Sequence, residues 1–117
     1  RNRNLVEDVP SALQHLTNIL EAMRENRVLE IEYHPFYLEE SQHIQLLPYF
    51  VKLYERRWYV YGPTQENRQI KVYALDRVQR LSISGQTFRM PKGFSAEEHL
   101  ATSIGITPIR IFRRVVS

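Results

Sequence analysis

At 117 residues the chain suits one domain, large enough to bury about two thirds of its unfolded surface. Hydrophobic residues make up 43% and charged residues 25%, which excludes a disordered chain, and no apolar run approaches the ~20 residues that cross a bilayer. With no cysteine and no signal peptide, disulfide stapling and thiolate chemistry are excluded, and a cytoplasmic location without membrane contact is expected. The formal charge is +3, and 13 of the 16 basic residues are arginine. Arginine is the better residue for gripping phosphate bidentately and for stacking on bases, although so modest an excess also serves solubility alone.

In chain order, 1–10 carries charges without a period and opens on Arg1 rather than a methionine; it is expected to be a linker at the cut end of a longer polypeptide. Ser11 with Gln14 fits a capping box, with Asp8 as the other candidate cap. Leu13, Leu16, Leu20 and Met23, with Ile19 beside them, then predict an amphipathic helix to about Glu25, whose wet side carries His15, Asn18, Glu21 and Arg24. Asn26 is the expected stop, because Asn tolerates left-handed backbone after a helix.

From Val28 to His34, Leu29, Ile31 and Tyr33 alternate with Glu30, Glu32 and His34, which predicts a strand that Pro35 ends. Phe36 to His43 is a connection. Ile44 to Tyr54 is a long apolar run with Pro48 inside it. Proline cannot donate to a ladder, so the run is expected to bend there and pass from one sheet to another. Glu55-Arg56-Arg57 then turns the chain into a central hairpin.

In the first strand of that hairpin Trp58 and Val60 oppose Tyr59 and Tyr61. In the second, Ile70 to Val78, Ile70, Val72 and Ala74 oppose Lys71, Tyr73 and Leu75, and Gly62-Pro63 through Asn67 supplies the turn. A last strand is expected over Val78 to Ser84, closed by Gly85, with Phe88, Pro91 and Phe94 in an irregular segment. Ser95 with Glu98 opens a short helix that Gly105 stops, and Thr107 to Val116 reads as the first strand of a following, truncated domain.

The fold class is therefore mainly β with flanking α. One helix followed by about five short, strongly bent antiparallel strands predicts a small closed or nearly closed β-barrel, closure removing the exposed strand edges. The expected divisions are a linker over 1–10, the barrel domain over 11–95, and a helix with the start of a C-terminal extension over 96–117.

Helix, Ile31-x-Tyr33, a strand carrying Pro48, Arg57-Trp58-Tyr59-Val60, Leu75-Asp76-Arg77-Val78, then Phe88, Pro91 and Phe94: in this order the residues closely resemble the WYL domain of bacterial transcriptional regulators. The family is named for a Trp-Tyr-Leu tripeptide whose third position here is Val60, a mild apolar change. The resemblance covers roughly 11–95. It implies an Sm-like or SH3-like barrel, placed after a winged helix-turn-helix and before an extension domain, that senses a ligand and signals to the DNA-binding part within a homodimer. Double-stranded DNA would then be read through a domain absent from this chain.

Arg77 resembles the family arginine implicated in ligand recognition. It would either grip a phosphate or form a structural salt bridge to Asp76, Glu30 or Glu32. If Trp58 packs inward, Tyr59 on the other face offers a ring for base stacking. Tyr33 and Tyr73 either share that surface or fill the core. Lys71, Arg68 and Arg57 near the hairpin would add phosphate contacts or stay merely solvated, and His34 would hydrogen-bond a ligand. Ala74 stands where many relatives carry another basic residue, which thins the phosphate pocket.

His15, His43 and His99 are scattered and form no metal-ligand spacing, Ser84-Gly85 and Ser103-Ile104-Gly105 lack a nucleophile elbow, and four isolated glycines make no phosphate loop. No cofactor, metal or catalysis is expected. The expected partner is an anionic effector, single-stranded nucleic acid or nucleotide. An oligomerisation module without its own ligand, and an Sm-like RNA-binding protein acting alone, are the alternatives.

Overall fold

A computed structural model describes the backbone of residues 3–94 and 110–113 and the side chains of 12–94. Its elements are α1 (Arg3–Glu25), β1 (Arg27–Tyr33), β2 (Gln42–Leu46), β3 (Phe50–Tyr54), β4 (Arg57–Gly62), β5 (Lys71–Ala74), a 3₁₀ turn (Leu75–Arg77), β6 (Val78–Thr87) and β7 (Arg110–Arg113). The mainly-β fold with a leading helix is as expected. The strands, however, form two antiparallel sheets, β2-β1-β6 and β5-β4-β3-β7, rather than one closed barrel among the described residues.

Pro48 sets this division. β2 pairs with β1 as far as Leu46↔Leu29, and β3 begins at Phe50 opposite Tyr61 of β4. Between them Leu47, Pro48 and Tyr49 carry the chain across, with Pro48 fully buried. The crossing keeps its backbone groups paired: Leu47 N–H donates to the Pro63 carbonyl and Tyr49 N–H to the Tyr61 carbonyl, both at 2.8 Å. Gln65 N–H donates to the Gln45 carbonyl at 3.0 Å, so the loop after β4 is stitched along the outer edge of β2.

The main core joins Ile19, Ala22 and Met23 of α1 to Leu29, Ile31, Ile44, Leu46, Val51, Val60, Leu75 and Val78. A second cluster lies on the opposite face of the β3–β4 pair, where Tyr49, Phe50 and Tyr61 meet Phe88, Met90 and Phe94 of the segment after β6. Phe50 stacks on Tyr61 at 4.6 Å between centroids. Both faces of the β3–β4 hairpin are thus covered. Its turn uses two left-handed residues, Glu55 at φ 50° and Arg56 at φ 68°, which suit the twist of a tight hairpin.

Several boundaries differ from expectation. α1 starts at Arg3, so Ser11 lies inside it and does not cap it. Its buried face is also rotated. Leu13 (51%) and Leu20 (38%) are exposed, while Ala22 is buried and His15, expected on the wet side, turns half-buried toward the main core. Asn26 ends the helix in left-handed conformation at φ 57°, as expected. The strand expected over Ile70 to Val78 is only β5, because Leu75 swings into the core through the 3₁₀ turn. β6 runs through Gly85 to Thr87 instead of stopping there. The helix expected after Ser95 lies outside the described residues. Within Thr107 to Val116, Arg110–Arg113 forms β7 beside β3, and the rest is outside them.

Two stability predictions follow from this packing. A Cβ at Gly62 would collide with the Leu47 carbonyl oxygen in the crossing. Gly62→Ala should therefore cost about 3 kcal/mol or more, the upper end of overpacking, read as a lower urea midpoint. Burial pushes the His15 imidazole below its ordinary pKa, with the Val78 backbone partly opposing that. The unfolded state then binds the extra proton, so this contribution is full above the ordinary value near 6.5 and is lost as pH falls below it. His15→Gln should flatten the loss of stability as pH falls below about 6.5.

Candidate functional site

β5, the 3₁₀ turn and the loop after β1 enclose an open cavity of about 760 Å³. Tyr33, at the end of β1, reaches across it: its hydroxyl accepts the Ala74 N–H at 3.1 Å, and its ring meets Tyr73 edge-on at 4.9 Å. This pins β1 to β5. Burial raises the Tyr73 hydroxyl above its usual pKa, reinforced by Tyr33 and Tyr37, so it stays protonated and able to donate. Phe36 and Tyr37 form a second wall, 74% and 72% exposed and packed edge-to-face at 5.8 Å. Lys71, Arg57, Arg77 and Gln42 supply the polar lining, and Ile70 and Val72 the remaining apolar surface.

The electrostatics separate the cations into used and unused ones. Arg57 Nε and Nη2 donate to the two carboxylate oxygens of Asp76, both at 2.8 Å. This fork holds the Asp76 carboxyl below the usual carboxylate range, against its partial burial, and raises the Arg57 guanidinium in return. Glu30 accepts from His43 and Gln45, and Glu32 pairs with Arg80 at 3.6 Å. Each acid proposed as a salt-bridge partner for Arg77 is therefore engaged elsewhere. Arg77 has no carboxylate within 4.0 Å among the described residues, and its guanidinium carbon lies 5.2 Å from the centroid of the Phe36 ring. Its backbone is fixed as well, since the His34 N–H donates to the Arg77 carbonyl at 3.1 Å.

Of the residues singled out in the sequence, Tyr33, Arg57, Lys71, Tyr73 and Arg77 line this cavity together. Tyr59, Arg68 and His34 do not. Trp58 packs against the main core as expected, but Tyr59 is taken up by the second cluster and by the charges flanking it, Lys52 at 5.5 Å and Arg57 at 5.5 Å. Arg68 lies in the loop after β4, near enough to Tyr49 to oppose the upward shift of its hydroxyl. His34 is half-buried, and its Nε2 has no partner among the described residues.

Sequence reasoning missed Phe36, Tyr37 and Gln42, although an aromatic pair straight after Pro35 in a polar connection is a visible signal. It also passed over Lys52. Only 5% exposed, this lysine has its ammonium framed by the rings of Tyr54, Tyr59 and Tyr61 at 5.0, 5.5 and 5.3 Å. Ring quadrupoles offset part of the cost of burying that charge. Among the described residues no set of acidic or histidine side chains could hold a metal, and no helix is long and apolar enough to cross a membrane.

The sequence signature of the WYL domain matches residues 14–83. The chain belongs to the WYL domain family. The match takes in α1 from Gln14, both sheets apart from β7 and the end of β6, and every wall of the cavity. Among solved structures, the WYL domain described here is similar to proteasome accessory factor B/C (PafBC) of Arthrobacter aurescens. The TM-score is 0.67 at 20% identity, over 74% of this chain and 14% of that one. Identity that low speaks for the fold alone. This WYL chain therefore spans about one seventh of that protein's length. No curated protein matches it.

The Arg57–Asp76 pair gives a prediction with a defined sign. Since the folded state lowers the carboxyl pKa, the pair stabilises fully above the ordinary aspartate value near 4 and loses its effect as pH falls through the lower folded value. Both partners are about half exposed, so an Arg57→Ala/Asp76→Ala double-mutant cycle should return about 1 kcal/mol or less at pH 7. The same cycle, followed by urea unfolding, should approach zero once the carboxyl is protonated.

Proposed function

We propose that this WYL domain is the regulatory domain of a bacterial transcriptional regulator. It senses an anionic effector, single-stranded nucleic acid or a nucleotide, in the cavity around Arg77. It biases a DNA-binding part outside this chain, within a homodimer. The observation that carries the reading is the state of Arg77. It is an arginine held over an aromatic ring at the wall of an open cavity, while every acid that could neutralise it is bonded elsewhere. Five donors without an anion suit a phosphate fork, with Lys71 as a second charge and exposed Phe36 and Tyr37 as stacking surfaces. The role is binding rather than catalysis.

A second reading, an oligomerisation module without a ligand, draws on the same exposed Phe36, Tyr37 and Val72, and on Leu13 and Leu20 of α1. Salt separates the two. Titration of labelled mixed-sequence single-stranded DNA should show binding that weakens with salt, with a logarithmic slope of about −0.7 per phosphate contacted. Arg77→Ala should weaken that binding about 10- to 100-fold without lowering the melting temperature, as expected for loss of a charged hydrogen-bond donor. No binding at low salt, together with self-association that Phe36→Ala abolishes, would favour the oligomerisation reading.

A further inference from the structure

Beside the Arg77 cavity lies a second concavity of about 540 Å³, and the two share Gln42, Lys71 and Tyr73. Lys71 therefore stands at the junction. The walls differ in chemistry. Where the first cavity is aromatic and cationic, the second adds the amides of Gln45, Gln65 and Asn67 and the hydroxyl of Thr64.

The backbone that presents these amides is fixed. Thr64 N–H donates to the Asn67 carbonyl at 3.1 Å, Asn67 N–H to the Thr64 carbonyl at 3.3 Å, and Gln65 N–H to Gln45 across to β2 at 3.0 Å. Some side-chain capacity is used. Gln45 Nε2 donates to Glu30 at 3.1 Å, and Asn67 Oδ1 accepts the Gln69 N–H at 2.9 Å. The amides of Gln42 and Gln65, Gln45 Oε1 and Asn67 Nδ2 have no partner among the described residues.

Such a set offers neutral donors and acceptors side by side, the pattern that matches the edge of a nucleobase. A bare anion gains nothing from amide oxygens. Glu66 on the same wall adds a negative charge that disfavours a phosphate there. Each concavity also falls in the range of about 300–1,000 Å³ that holds a whole small molecule, so a simple anion would leave most of the pair empty.

We infer that the second concavity is a base-reading compartment, and that the ligand is an oligonucleotide of two or more residues. Its phosphate lies at Lys71 and Arg77, and one of its bases is read by Gln42 and Gln65. This rests on the anion-sensing reading of the Arg77 cavity.

The test uses the full chain, short labelled homopolymers of dA, dC and dT, and inorganic polyphosphate as competitor. Wild type should prefer one homopolymer by about fivefold or more, the scale of one good amide–base pair. Gln65→Ala, which removes an exposed side chain that lines the second concavity and not the first, should shrink that spread to about twofold or less while polyphosphate competes as before. Arg77→Ala should weaken every homopolymer and polyphosphate together. If the homopolymers bind alike in wild type, or Gln65→Ala keeps the preference, the base-reading compartment is refuted and anion sensing stands. If neither polyphosphate nor any homopolymer binds, anion sensing fails and this inference fails with it.

Discussion

Gly62 has no side chain because the Leu47 carbonyl occupies the space a Cβ would take. That close approach lets the crossing strand lie against the end of β4, where Leu47 and Tyr49 bond to the backbone on either side of Gly62. The two sheets are joined through this seam. Pro48 breaks the β2–β3 ladder, the glycine admits the break, and the main core then fills the angle between the sheets and α1. With the loop after β4 held along β2, Thr64 to Asn67 and Lys71 come beside Gln42 and Tyr73, so the same seam shapes the neighbouring concavities.

Charge is distributed over this frame unevenly. Asp76, Glu30 and Glu32 each have a hydrogen-bonded or paired partner, while Arg77 and Lys71 have no carboxylate within 4.0 Å among the described residues. Lys52 shows the opposite arrangement, a cation enclosed by tyrosine rings on the far face of the second sheet. The cavity cations keep their field directed at solvent, where it can act on a ligand. The Lys52 charge is confined to its own packing.

How much of this could be read from the chain depended on whether the signal was local. Pro48 announced the crossing because a missing N–H has the same meaning in any context, and Asn26 announced the helix end for a similarly local reason. Trp58 facing inward followed from period-2 alternation. Alternation did not reveal that both faces of the β3–β4 hairpin are covered, which is why Tyr59 was expected on an open surface. The orientation of α1 was ambiguous for a different reason: Leu13–Leu20 and Ile19–Met23 both satisfy helical spacing, and the sheet beneath selects the second. The hydrogen-bond partner of Asp76 was hidden too: Arg57, 19 residues away, makes the fork, while adjacent Arg77 acts on the carboxylate only through its charge. Five of the eight residues singled out still meet in one cavity, because they flank the same hairpin and its return.

The 3₁₀ turn has two sides. Arg77 faces the cavity, and the adjoining Val78 meets His15, with α1 packed along the turn. α1 continues from His15 back to Arg3, a reach of about 18 Å at 1.5 Å per residue. A tilt of about 5° at the His15 contact would carry the Arg3 end through roughly 1.5 Å, by the geometry of a straight helix. Any displacement of the turn passed on through this contact would be magnified at the start of α1, with a half-buried imidazole at the point of contact.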